Sequence, residues 1–264
     1  MAEEYNVQAI INALKNEEEM DPYQHDGCYE LMRETIKAYS NLQDFSVLDY
    51  KDLNLVYLTT VGTWRQGVKS KKNTIEGSHL HTDDKDRLKL LWNEVWDKAG
   101  QRQYSNYELD ASGNSSIGLF GTGFFSFPSN TTSDHVQAFV RMCVDILPMS
   151  EDEEIFNRAE PILNKSFQGM QAGAASMVLH CLKPYTFPVL NSNMGRGNVF
   201  EVLGVKLNKP GRIETYIDNC RKIKAVRDTN FTFKNYRIFD ITTWKIDQYA
   251  LQHKYGTYGS WEIV

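Results

Sequence analysis

Ten of the 29 lysines and arginines fall between Lys206 and Lys245, against four acids, in a chain whose formal net charge is −5. Arg221, Lys222, Lys224 and Arg227 crowd into seven residues, while Ile213, Ile217, Cys220 and Ile223 form an apolar stripe at helical spacing that points elsewhere. Cations at this density attract phosphate backbones. The aromatic residues interleaved with them (Tyr216, Phe231, Phe233, Tyr236, Phe239, Trp244) can stack on bases or fill a core. A second basic run, Arg65, Lys69, Lys71 and Lys72, begins beside Trp64. A basic run is also an ordinary solvated surface, but two of them with aromatics nearby point to nucleic acid. DNA is the expected partner, with phosphate contacts from these eight residues. Trp64, Tyr236 and Trp244 are the candidates to line a pocket for a flipped or modified base. On this reading Arg221→Glu with Lys224→Glu weakens DNA binding without unfolding the chain.

Other chemistries lack their residues. A phosphate-cradling GxxxxGK[ST] loop is missing, so neither ATP nor GTP hydrolysis is expected. The glycines of Gly118-Leu-Phe-Gly-Thr-Gly123 have the wrong spacing for either nucleotide loop. No Gly-x-Ser-x-Gly elbow occurs. Cys28, Cys143, Cys181 and Cys220 lie far apart with no CxxC pair, and are expected to be free, buried thiols. His79 and His81, followed by Asp83, Asp84 and Asp86, offer metal-ligand types. An exposed loop leading into the acid-rich first turn of a helix explains them as well, and that is the preferred reading. His180 sits on an apolar helix face as a satisfied core histidine. No catalytic residue, metal or cofactor is expected.

The elements that must position the basic residues read as mainly α, with α+β possible. At 264 residues and 41% hydrophobic content the chain can bury a substantial core. No apolar run reaches the ~20 residues of a membrane span, and the acidic N-terminus is unlike a signal peptide, so a cytoplasmic protein is expected. Helical spacing recurs at Val7–Leu14, from Cys28 to Leu42, over Asp84 to Gly100 and over Asp134 to Leu147, which Pro148 stops. Leu53 to Trp64 fits a strand or a buried helix. Residues 101–131 are irregular, with a Gly-rich packed segment, Gly118 to Phe127, in which Gly121→Val should cost stability. The acidic run Met149 to Glu154 is the expected boundary between two helical lobes, 1–148 and 149–264, and supplies a helix N-cap. Helices follow at about 152–165, 169–182, 192–203 and 212–228, the second rich in small residues. Residues 1–150 hold 14 Lys and Arg against 22 acids, whereas 151–264 hold 15 against 12.

Three segments together, Ile117 to Phe127, Ala174 to Ser192 and Asn235 to Trp244, resemble the region preceding the ATPase/GTPase module in McrB-type restriction proteins. The resemblance spans most of the chain. It implies a recognition portion of a modification-dependent restriction system in antiviral defence, reading DNA that carries modified bases. It also implies as partners an AAA+ motor and a nuclease subunit, whose motor motifs this chain lacks. No base-reading residue transfers, because these portions differ from one another. The alternative is a protein-interaction module, without direct nucleic-acid contact, that docks the motor or nuclease subunit through the small-residue helix at 169–176.

Overall fold

A computed structural model describes residues 26–59, 72–100, 131–165, 170–190, 200, 204–231, 234–236 and 239. They are mainly α, and no strand occurs among them. Among the described residues the architecture rests on α1 (Asp26–Ser40), α2 (Tyr50–Leu58), α3 (Thr82–Gly100), α4 (Ser133–Ile146), α5 (Asp152–Leu163), α6 (Ala172–Leu182) and α7 (Tyr216–Asn230), with a further helical stretch at 72–77 ahead of α3. Short 3-10 turns at Phe45–Val47 and Ile213–Thr215 precede α2 and α7. No helix among the described residues is long and apolar enough to cross a membrane.

The stretch left open between strand and helix is helical as far as Leu58. Asp49 accepts from the Lys51 amide at 2.7 Å, and Asp52 reaches back to the Asp49 amide at 3.0 Å. This reciprocal capping satisfies two amides that a helix start leaves orphaned, and Leu53, Leu55, Val56 and Tyr57 then turn inward. In α4 the hydroxyl of Thr132 caps the His135 amide, and Val136, Phe139, Val140, Cys143 and Ile146 form the buried stripe. α5 continues past Pro161 only to Leu163.

α6 is apolar almost all round, with Ala175 to Leu182 buried without a break, as a helix in the middle of a core must be. It packs against α1, which also touches α2, α3 and α4. His180 is a core histidine, as expected. Its Nδ1–H donates to the Phe187 carbonyl at 2.9 Å, so Nε2 accepts from the Tyr29 hydroxyl at 3.1 Å. Cys143, Cys181 and Cys220 are free and buried, and burial pushes the thiols of Cys143 and Cys220 well above their ordinary range.

The acidic run at 149–154 does not separate two cores. Buried residues from both sides of it form one cluster, with α1 against α6 and α4 against α5. Lys183, at the end of α6, donates to the carbonyls of Leu147 and Met149 at 2.7 and 2.6 Å, stapling the junction. Glu151 caps α5 without a side-chain bond, so the run supplies no side-chain cap either. The Gly-rich segment, the helix expected at Val7–Leu14 and most of that at 192–203 lie outside the described residues.

Candidate nucleic-acid interface

The apolar stripe that runs from the 3-10 turn into α7, Ile213, Ile217, Cys220 and Ile223, is fully buried. Its cations face α5, where the acids of the supposed linker wait. Arg221 forms a fork with Glu160, Nη1 to Oε1 at 3.0 Å and Nη2 to Oε2 at 2.9 Å. It also donates to Glu153 and to the Asn157 side chain. The Glu160 hydrogen bonds hold its guanidinium above the ordinary value. Lys224 donates to Asp228 at 2.5 Å and lies 3.6 Å from Asp152, which raises its ammonium pKa. Lys222 is paired with Asp218 one turn back at 2.7 Å.

Arg227 and Tyr236 correct the sequence reading most clearly. The Arg227 side chain is 3% exposed. Its Nη1 donates to the carbonyls of Tyr185 and Lys234 at 2.5 and 3.0 Å, its Nε donates to Asp228 at 3.0 Å, and Nη2 lies 3.5 Å from Asp152. The guanidinium also sits 4.5 Å from the centre of the Tyr236 ring. Tyr236 is itself 1% exposed, edge-on to Phe239, with its amide bonded to the Pro184 carbonyl. A buried guanidinium with five partners makes no phosphate contact, and a tyrosine enclosed by it offers no face to a base. Both belong to the core, because burying a charge requires partners that a sequence does not display.

The double substitution Arg221→Glu with Lys224→Glu therefore has a different expected result. New carboxylates would face Glu153, Glu160, Asp152 and Asp228. Since both cations are part-exposed, a loss of roughly 1–3 kcal/mol is expected in urea melts, with DNA affinity falling only as far as the folded fraction. A double variant as stable as the parent would show that the α5–α7 pairing contributes nothing.

Of the second basic run, Lys72 is exposed, whereas Trp64, Arg65, Lys69 and Lys71, like Trp244, lie outside the described residues. Among the described residues of the basic region from Lys206 onward, three cations turn outward without an ion pair. Lys206, Lys209 and Arg212 are all exposed. No family model, characterised protein or solved structure matches the chain.

The metal-ligand types around His79 arrange themselves in an unexpected way. His81, Asp83 and Asp86 stay exposed, and Asp84 accepts from Asn41 and Arg87. His79 instead joins Asp49 and Asp52, with donor atoms of all three within 4.8 Å. Fully buried Asp52 accepts from the Tyr39 hydroxyl at 3.0 Å, the His79 amide at 2.8 Å, His79 Nδ1–H at 2.7 Å and the Asp49 amide at 3.0 Å. With four protein donors on one carboxylate, the cluster works as a staple between α2 and the start of α3. Of the small-residue stretch, Ala172, Ala175 and Ser176 are fully buried, Gly173 and Ala174 are half-buried, and Gly169 lies outside the described residues. A cleft of about 690 Å³ opens between α1 and α3, lined by Arg33, Lys37 and Arg87 together with Glu30, Glu34 and Glu94. Its mixed charges favour neither sign of ligand.

Proposed function

We propose that this chain is the DNA-recognition module of a restriction or defence system, reading modified bases, with an AAA+ motor and a nuclease subunit of the same system as partners. The three segments resembling the recognition portion of McrB-type restriction proteins support the system. One observation carries the DNA contact. With Arg221 taken up by α5, Lys224 by Asp228 and Asp152, and Arg227 by the core, the C-terminal part still turns Lys206, Lys209 and Arg212 outward without acidic partners among the described residues, in a chain of net charge −5. Self-pairing would have removed these cations from the surface field, and unpaired cations are what a phosphate backbone neutralises with release of its counterions.

Fluorescence anisotropy with duplex oligonucleotides, unmodified and carrying modified cytosine or adenine, tests the reading. Binding should weaken linearly in log–log coordinates with salt, by about 0.9 units for each phosphate contact on duplex DNA. A modified duplex should be preferred. Absence of binding at low salt, or an affinity indifferent to salt, refutes DNA recognition. The protein-docking alternative through α6 would have to rest on Gly173 and Ala174, since Ala172, Ala175 and Ser176 are already packed inside the core.

A further inference from the structure

We infer that the loop Gly204–Arg212 is a preformed contact for the phosphate backbone of duplex DNA, an inference that rests on the DNA-recognition reading above. The backbone of this loop is tied down along its length. The Val205 amide donates to the Phe200 carbonyl at 2.6 Å, and the Ala172 amide at the start of α6 donates to the Gly211 carbonyl at 3.3 Å. Between them, fully buried Asn219 of α7 holds the backbone N–H and C=O of one loop residue. Its Oδ1 accepts from the Asn208 amide at 2.8 Å, and its Nδ2 donates to the Asn208 carbonyl at 2.7 Å. The Thr215 hydroxyl donates to the Lys209 carbonyl at 3.0 Å, and the Arg212 amide closes a turn onto the same carbonyl at 2.8 Å.

The side chains then sort by alternation. Val205 and Leu207 pack against the core, while Lys206, Lys209 and Arg212 are exposed. None of the three is paired with an acid among the described residues: Asp218 is engaged by Lys222, and Glu214, two residues past Arg212, has one carboxylate oxygen buried without a partner. Lys209 also holds φ at +36°, in the left-handed region that glycine or asparagine occupies more readily. A lysine kept at such a position indicates that its side chain is wanted there. A fixed backbone carrying free cations meets a rigid phosphate array with little loss of loop entropy.

The surroundings favour a duplex over a single strand. Single-strand sites stack bases on exposed aromatic rings, and among the described residues the flanking aromatics, Phe200 and Tyr216, are buried.

The test measures anisotropy of the full chain on a labelled mixed-sequence DNA duplex, between about 50 and 200 mM salt. Lys206→Gln with Lys209→Gln and Arg212→Gln should weaken binding by roughly tenfold or more and flatten the salt slope by about one unit per cation removed. The thermal melt should be unchanged. Lys209→Gly, which relieves the left-handed backbone, should melt at or above the parent yet bind more weakly, and it keeps the test informative if the triple variant folds poorly. Parent-like affinity and slope in both variants would overturn the loop assignment while leaving DNA recognition standing. A parent that binds no DNA overturns both. Tighter binding of a single strand than of the duplex overturns the duplex assignment.

Discussion

Arg227→Met is expected to destabilise the protein by about 3–5 kcal/mol, the range for removing one partner from a buried ionic network. Methionine keeps much of the apolar stem but deletes five contacts at once. It leaves the Tyr185 and Lys234 carbonyls without their donor and Asp152 and Asp228 short of a counter-charge. The bond from Arg227 to the Lys234 carbonyl and its place over the Tyr236 ring tie α7 to the segment at 234–236, so that junction should loosen first. Tyr236→Phe is the control: the hydroxyl of Tyr236 is buried with no hydrogen-bond partner, so its removal should be close to neutral while the ring remains under Arg227. Urea midpoints measure both. An Arg227→Met chain within about 1 kcal/mol of the parent would show that the guanidinium is a passenger in this junction.

The same junction gives stability a pH dependence of definite sign. Burial by itself would raise the Asp228 carboxyl, but hydrogen bonds from Lys224, Lys234 and Arg227 outweigh it and hold the group well below the ordinary carboxylate range. A carboxyl whose folded pKa is depressed contributes stability that is complete above its unfolded value, near 3.9, and is lost as pH falls through the folded value. The contribution is therefore flat at neutral pH and disappears only in strong acid. In Arg227→Met one donor is gone, so the acid limb attributable to Asp228 should be smaller and complete at a higher pH, closer to 4.

Asp52→Ala carries the second large effect, a loss of about 3–4 kcal/mol in the same melts. The carboxylate accepts four hydrogen bonds without exposure to water, and alanine strands the Tyr39 hydroxyl in the core. Burial, then the nearby charge of Asp52, raises the Tyr39 pKa well above the ordinary phenol value, so the hydroxyl stays a donor, and in the alanine variant it keeps only the long 3.4 Å contact to the residue 52 backbone carbonyl. Asp52→Asn should be nearly as harmful, because its amide group must face one of these donors. Tyr39→Phe removes a single bond and should cost about 1–2 kcal/mol. If Asp52→Ala costs no more than Tyr39→Phe, the His79 and Asp49 contacts do not hold α2 to α3.

Most helices were legible because their apolar residues recur every three or four positions. Val136, Phe139, Val140, Cys143 and Ile146 locate α4, and Leu88, Trp92 and Val95 locate the buried side of α3, with no tertiary information required. The stretch from Leu53 was ambiguous because it is buried on several sides, which erases the period. The missed signal was local: Asp49 and Asp52 stand three apart, the reciprocal pattern of a capped helix start with aspartate in place of the usual glutamate. The Met149–Glu154 run misled for the opposite reason. Consecutive acids look solvated until the cations that neutralise them are known, and those lie about 70 residues further along, in Arg221 and Lys224.

Sequence alone determined that this is a mainly helical protein, which faces of its helices turn inward, that His180 and the three described core cysteines are buried, and that positive charge concentrates in the C-terminal part. These are properties of composition and of a 3.6-residue period, so they do not depend on where the helices finally meet. Tertiary structure decided which cations are free. Lys224 and Lys209 are the same residue type in the same basic region, yet one is consumed by Asp228 and Asp152 and the other stands exposed on a loop pinned by Asn219. The difference lies in long-range pairing: desolvating a charge is tolerated only where an opposite charge is brought to it, and chain folding alone sets which acid arrives beside which base.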